Sequence, residues 1–361
     1  MGGMENGVVN LINGMDPDFA HAIVCLDTST DFAHRLTRDD VQIVSLNKKP
    51  GKDLPHYSRL WRALRDLRPS IVHTRNIGTI EAGIVARLAG TPTVFHGEHG
   101  FDVGDLHGTN RRYWLLRRLA SPFVRKFICV SRQIQRWLEL EIGLPADKLV
   151  QIYNGVDTNR FDPVNHDAAR ERLRAAGVMG EFVVGGVGRL EAVKNPVELV
   201  QAFSNRCAAD DDFAARSSLV MLGDGSLREE VARCARDLGQ ADRVHLLGAR
   251  DDVHDLLPGF SVFALPSLNE GISNTLLEAM ASGVPVIASR VGGNGELFTE
   301  AVEGTLYESG DVAGLGAALG SYFGDESMRR ERAFAARVHV IQEFSLTGMI
   351  HRYQRLYASY C

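Results

Sequence analysis

Val262-Phe263-Ala264-Leu265-Pro266-Ser267-Leu268-Asn269-Glu270-Gly271-Ile272-Ser273-Asn274-Thr275-Leu276-Leu277-Glu278-Ala279-Met280 is the stretch that decides how this chain folds. Residues 262–265 form an apolar run of strand length, after which the chain turns through Gly271 and opens a helix. Strand, glycine turn and helix in that order make one unit of a parallel α/β sheet. The alternation extends in both directions. Apolar runs at 182–187, 219–222, 244–247, 284–288 and 305–307 are separated by stretches such as 196–207, where apolar residues recur at three- and four-residue intervals. An earlier series at 22–26, 41–46, 71–74, 93–96, 127–131 and 149–153 is interleaved with helical-period stretches at 57–67 and 79–88. Continuous strands separated by helices predict parallel sheets covered on both faces. Two such series in tandem predict two doubly wound domains, with closure into an eight-fold barrel as the competing arrangement.

A chain of 361 residues is too long for one ordinary core and suits two domains of about 150 to 200 residues. The turn Asn154-Gly155-Val156-Asp157, followed by Phe161-Asp162-Pro163, marks the boundary, because Asn-Gly and Asp-Pro punctuate regular structure. The expected division is 1–163, 164–340 and a C-terminal helix over 341–361 that packs back on the first domain. The polar stretch 167–176 and the segment 328–360 read as helix, and Asp210-Asp211-Asp212 reads as a solvated loop. The chain opens Met1-Gly2-Gly3-Met4-Glu5-Asn6-Gly7 and enters an amphipathic helix at 8–12 with no strand ahead of it. A glycine turn feeding a helix normally follows a strand, so the expectation is either a truncated start or a first domain that lacks one sheet strand.

Apolar residues make up 45% of the chain, enough for two cores, and a net charge of −5 argues against a nucleic-acid binder. The five cysteines (Cys25, Cys129, Cys207, Cys234, Cys361) include no Cys-x-x-Cys. Cys25 and Cys129 lie in strand-like runs and read as small buried thiols, with a reducing cytoplasm as the default. No signal peptide opens the chain. No apolar run approaches the roughly 18 residues of a membrane span, which predicts a soluble or peripheral protein.

The loop after 262–265 carries chemistry. Gly271 lets backbone approach a ligand, and the amides of Ile272, Ser273, Asn274 and Thr275 sit at a helix N-terminus, where phosphate or carboxylate oxygens are accepted. Glu270 on the loop and Glu278 inside the helix flank this turn. A carboxylate on the helix can accept hydrogen bonds from ribose hydroxyls, while one at the loop tip can face a sugar. Either alone reads equally as a solvated glutamate. A second element, Gly186-Val187-Gly188-Arg189-Leu190 with Lys194-Asn195-Pro196 after it, brings two cations to the C-terminal end of a strand. That edge is where open α/β sheets bind ligands, and a diphosphate is the matching counter-charge.

Taken together, these residues resemble the retaining glycosyltransferases of family 4. The landmarks are Gly188-Arg189-Leu190 with Lys194-Asn195-Pro196, Gly223-Asp224-Gly225, Asn154-Gly155-Val156-Asp157, Glu270 through Glu278, and Gly283-Val284-Pro285-Val286. Glu98-His99-Gly100 and the run Gly2 to Gly7 are most similar to sugar transferases of bacterial exopolysaccharide gene clusters. The resemblance implies two facing Rossmann-like domains, the GT-B architecture. It implies that Arg189 and Lys194 hold the donor diphosphate, that Glu278 binds the ribose and that Glu270 contacts the donor sugar. Ser273 to Leu276 would supply phosphate-facing amides and a packing contact, with Gly188, Gly223 and Gly271 in the surrounding loops. Ala249 and Arg250 would lie beside the nucleobase, His99 would face the sugar from the first domain, and Gly3 would belong to a loop near the donor phosphates or the acceptor.

The activity implied is transfer of a sugar from a nucleoside-diphosphate sugar, a UDP- or GDP-sugar, to a glycan or lipid-linked acceptor with retention, and no cofactor. No Asp-x-Asp sits at a strand end, so a metal-independent reaction is expected. The segment Arg111-Arg112-Tyr113-Trp114-Leu115-Leu116-Arg117-Arg118, continuing through Phe123 to Arg125 and Lys126, interleaves cations with apolar residues. It suits an anionic membrane surface on the cytoplasmic side, or a helix packed on the first sheet with its arginines solvated. Two other readings stand beside transfer: a sugar-nucleotide epimerase and a non-catalytic sugar-nucleotide-binding protein.

Overall fold

A computed structural model describes residues 3–28, 31–51, 53–101, 104–106 and 108–360. The chain forms two compact units, Met1–Asn154 together with Leu346–Cys361, and Gly155–Ser345.

The first unit runs α1 (Gly3–Gly14), β1 (Ala22–Cys25), β2 (Gln42–Ser45), α2 (Pro55–Leu67), β3 (Ile71–Arg75), α3 (Ile80–Leu88), β4 (Thr93–Glu98), α4 (Arg111–Ala120), β5 (Lys126–Cys129), α5 (Arg132–Leu140) and β6 (Leu149–Gln151). Strands β3-β4-β5-β6 form one parallel sheet, and β1 pairs with β2 in a separate parallel pair. Every residue of β4 is buried, as a central strand covered on both faces requires. The helix expected at 8–12 begins earlier, at Gly3, so Gly3 opens a helix instead of sitting in a loop ahead of one; Gly2 lies outside the described residues. Among the described residues no strand precedes α1.

The second unit continues with α6 (His166–Ala175), β7 (Phe182–Val187), α7 (Pro196–Ala209), α8 (Asp211–Arg216), β8 (Ser217–Leu222), α9 (Arg228–Asp237), β9 (Val244–Leu246), α10 (Val253–Leu256), β10 (Val262–Leu265), α11 (Asn274–Ala281), β11 (Val286–Ser289), β12 (Gly304–Tyr307), α12 (Val312–Gly324) and α13 (Glu326–Glu343). Its six strands are ordered β12-β11-β10-β7-β8-β9, and each neighbouring pair is parallel. Open parallel sheets, not a barrel, account for the two strand series: four strands and a separate pair in the first unit, six strands in the second. Phe182, Phe203, Phe213, Leu199, Leu219 and Tyr322 fill the core between sheet and helices. The aspartate run read as a solvated loop is a helix start: Asp210 caps α8 by accepting from the amides of Asp212 and Phe213, each at 3.1 Å. An aspartate there satisfies amides that lack a helical partner.

The chain ends with α14 (Leu346–Ala358), which belongs to the first unit. Met349, Ile350, Tyr353 and Tyr357 bury against Leu11 of α1, Met15 just after it, and Phe95 and Ile128 of the sheet. Gly14 allows this contact, since a Cβ there would lie 2.3 Å from Ile350 Cδ1.

Candidate functional site

At the C-terminal edge of β7, β8 and β10, the second unit's loops pack backbone on backbone. The Gly188 amide donates to Leu222 O at 3.0 Å, Leu190 to Asp224 O at 3.0 Å, and Leu227 to Leu190 O at 2.9 Å. Gly223 has φ +144°, and a Cβ on it would stand 1.9 Å from Gly188 O. Its amide donates to Gly248 O at 2.8 Å, which links the loop after β8 to the loop after β9. On the other side, Leu268 donates to Val193 O at 2.8 Å and Gly293 to Glu270 O at 3.2 Å. The loop bearing Glu270 is therefore held between the Lys194 loop and the turn at 292–294.

Within this frame Lys194 Nζ stands 2.5 Å from Glu270 Oε1, which also accepts from Ser267 Oγ at 2.6 Å. Glu270 keeps only 9% of its side-chain exposure and Lys194 keeps 23%, so the pair is shielded enough for its charge to matter. Arg189 is exposed on the same loop. It lines, with Gly186, Gly188, Lys194 and Pro266, a recess of about 30 Å³. That is space for a few atoms, so a larger ligand must extend along the sheet edge.

The Glu270 loop leads into α11. Ser273 caps it, its hydroxyl accepting from the Leu276 amide at 3.3 Å. Ile272 and Leu276 are buried, while Gly271, Asn274 and Thr275 keep part of their surface. Glu278 is half-buried on the next turn. Ala249 and Arg250 are exposed after β9, on the loop tied to Gly223. Arg250 is clasped by Asp252, with Nη2–Oδ2 at 2.6 Å and Nε–Oδ1 at 2.7 Å. Gly188, Arg189, Lys194, Gly223, Ala249, Arg250 and the run from Glu270 to Glu278 thus all lie on loops at one edge of one sheet or on the helix that follows.

Sequence reasoning passed over Glu198. It is 3% exposed on α7 and accepts a hydrogen bond from the Asn195 side-chain amide. Burial pushes its carboxyl above the usual range, outweighing the nearby Tyr307 hydroxyl and Gly310 backbone, which act the other way. Asn195 has a left-handed φ of +47° immediately after Lys194, so Glu198 secures the turn that aims Lys194. A legible signal was the spacing Asn195-Pro196-Val197-Glu198, an acid three residues beyond a helix-capping position.

In the first unit, His99 follows β4. Its amide donates to Asn76 Oδ1 at 3.2 Å, and Arg75 Nη1 lies 3.3 Å from its Nε2. Burial first, then the nearby Arg75 charge, holds the imidazole well below its ordinary pKa. Near neutral pH the ring is uncharged, and the arginine contact leaves Nε2 as the acceptor. His73, bonded to Tyr357 OH at 2.6 Å, is lowered in the same way. Glu98, 1% exposed, receives both forks of Arg117, at 2.6 and 2.9 Å, and stands 3.4 Å from His96. Burial alone would raise its pKa, but the Arg117 charge and the hydrogen bonds from His96 and Arg117 prevail and hold it at about 2.

Arg117 was expected among the solvated cations of 111–126; it is 4% exposed and points inward. Trp114 likewise turns in, donating from Nε1 to Gly108 O at 2.6 Å. Arg111, Arg112, Leu115, Arg118 and Leu119 remain exposed on α4.

Family models match both parts of the chain: "Glycosyltransferase Family 4" over residues 1–160 and "Glycosyl transferases group 1" over 181–325. The chain is 30% identical, over 314 residues, to the UDP-Gal:alpha-D-GlcNAc-diphosphoundecaprenol alpha-1,3-galactosyltransferase of Escherichia coli, covering 85% of this chain and 79% of that protein. Its backbone matches Anabaena HepE, crystallised with UDP and glucose, at a TM-score of 0.86 and 20% identity, over 99% of this chain and 96% of that one. The sucrose-phosphate synthase of Thermosynechococcus elongatus matches at 0.83 and 19% identity, over 99% and 93%. At those identities the two structures speak to fold alone.

Proposed function

We infer the activity from one premise: the chain belongs to the glycosyltransferases of family 4 and group 1 and has their two-Rossmann-domain GT-B architecture. The reaction we propose is transfer of a sugar from a nucleoside-diphosphate sugar to a lipid-linked saccharide or glycan, with retention at the anomeric carbon and without a metal ion or cofactor, in exopolysaccharide assembly. The observation that carries it is the placement of Arg189 and Lys194 beside the loop into α11, at the C-terminal edge of β7 and β10. Breaking the bond from the anomeric carbon to the diphosphate leaves negative charge on the departing nucleotide. Two cations and a helix N-terminus fixed at that edge stabilise it as it develops. Glu278 would accept from the ribose and Glu270 from the donor sugar.

A UDP-sugar donor and a lipid-linked acceptor are favoured by the name of the Escherichia coli relative, and UDP also by the HepE complex. No helix of the described residues is long and apolar enough to cross a membrane. Contact with an anionic membrane would fall to the exposed face of α4, where Leu115 and Leu119 sit among Arg111, Arg112 and Arg118. Co-sedimentation with vesicles that ignores anionic lipid content would remove that contact.

The test of the donor site is a thermal-shift panel of UDP-, GDP- and ADP-sugars on the native chain and on Glu278→Ala. A ligand that binds the native state raises its apparent stability. Stabilisation by one nucleotide class, lost in the variant, is expected; equal stabilisation of both proteins would sink the assignment. Incubation with donor alone separates transfer from epimerisation, since an accumulating epimer would replace our reading.

A further inference from the structure

The opposite edge of the second unit's sheet holds a cavity of about 340 Å³ at the N-terminal ends of β7, β10 and β11. It is lined by Arg170 of α6, Phe182 at the start of β7, Ser261 ahead of β10 and Arg329 of α13, with Arg216 and Glu181 at its rim. The volume falls at the lower end of the range for small-molecule sites.

Its cations are unevenly compensated. Arg216 is paired with Glu181 at 2.9 Å and Asp212 at 3.1 Å, and Arg330 with Glu326 at 2.5 Å. Arg170 has no carboxylate partner among the described residues. It donates to Ser261 Oγ at 2.7 Å and to Gly180 O at 3.4 Å, both uncharged acceptors. Arg329 donates to the carbonyls of Tyr322 and Phe323 and lies over the Phe182 ring at 5.3 Å; Glu326 and Asp325 act on it only at longer range. Burial, then the charges of Arg174 and Arg329, holds Arg170 below the usual arginine range, and burial lowers Arg329, with Arg330 and Arg216 adding to it against Glu326 and Asp325. Each still has N–H groups to offer beyond the bonds it makes.

We propose that this cavity is a second ligand site, which binds the phosphate of a small phosphomonoester between Arg170 and Arg329. Two cations without acid partners match a dianion, and a phosphomonoester carries nearly two negative charges near neutral pH. Planar guanidinium forks suit phosphate oxygens, and Ser261 Oγ, which also accepts from the Val183 amide at 3.0 Å, fixes the Arg170 fork. The site lies at the other ends of the strands that carry the donor loops, and it does not depend on the transferase reading.

Titration calorimetry of the full chain with inorganic phosphate and glucose 6-phosphate, with glucose as the neutral control, tests it. Glucose 6-phosphate is expected to bind with a Kd below about 1 mM, and Arg170→Gln or Arg329→Gln to weaken it about tenfold or more. Arg189→Ala with Lys194→Ala should leave that binding in place; loss there would assign the phosphate to the donor edge and overturn the proposal. Glu181→Gln removes an acid from an exposed rim position, tolerates folding and should tighten binding. No phosphate binding to the native chain, or unchanged binding in Arg170→Gln and in Arg329→Gln measured as single variants, would also overturn it.

Discussion

Lys194 and Glu270 form an ion pair at 2.5 Å across two loops that also share the Leu268–Val193 backbone bond. On the proposed reading, the cation that would meet the diphosphate is already partnered, by the carboxylate proposed to meet the sugar of the same donor. Donor binding would then exchange one anionic partner of Lys194 for another and release Glu270 to the sugar hydroxyls.

That exchange separates the two residues kinetically. Lys194→Met should lower kcat by about 100-fold or more, the usual cost of removing one stabiliser of transition-state charge. Glu270→Gln frees Lys194 while weakening the sugar contact, so it should lower kcat with little rise in donor KM. Equal KM increases in both variants, with kcat intact, would contradict the exchange.

Gly292 tests the frame. Its φ is +54°, and a Cβ there would fall 1.7 Å from Glu270 O. Backbone cannot yield as a side-chain tip can, so Gly292→Ala should displace the Glu270 loop. Turnover is expected to fall at least about tenfold in a chain that still folds, since a misplaced catalytic group is costly. Parallel assays of turnover and thermal unfolding decide it.

Acid sensitivity follows from the first unit. His73 and His99 have lowered pKa values, so the stability tied to their neutral forms is complete above pH 6.5 and declines as pH falls below it. Glu98 is depressed from 4.5 to about 2, so its contribution is complete above 4.5 and is lost as pH falls toward 2. Melting temperature should therefore decline below pH 6.5 and steepen below 4.5. Glu98→Gln should remove the steeper limb and cost about 3 kcal/mol at neutral pH, because Arg117 is left buried without its charge partner.

Metal independence is tested by chelation. On the proposed reading, Arg189, Lys194 and the α11 amides would supply the positive charge a divalent ion would otherwise bring to the leaving diphosphate. Activity should survive excess EDTA, and its loss with recovery on manganese would refute the expectation.

The order of strands and helices was legible because each of the twelve apolar runs is a strand of a parallel sheet, and in strands such as β4, β8 and β10 burial on both faces leaves a continuous signal. The donor-edge loops were legible for a related reason: the glycines, cations and acids they need fall at strand ends. What escaped reading was determined by tertiary contacts. Arg117 looks like its neighbours in a basic helix, and only the fold turns it toward Glu98. Glu198 looks like any helix-surface acid until α7 is packed with that face inward. The aspartates at 210–212 give the same local composition in a loop or a cap, and the extra helix they begin was hidden by its brevity.

The second unit closes on itself where its chain enters and leaves. The Val156 amide donates to Phe344 O at 2.9 Å, and Val156 bridges Ser345 in parallel. Its two ends are thus neighbours, and everything between them, including all six strands and every donor-edge loop, is contiguous in the gene. It interrupts the first unit's chain at one place, between Asn154 and Leu346. Expressed from 155 to 345 alone, it would keep its whole sheet and could be screened against nucleotide sugars as a free-standing receptor.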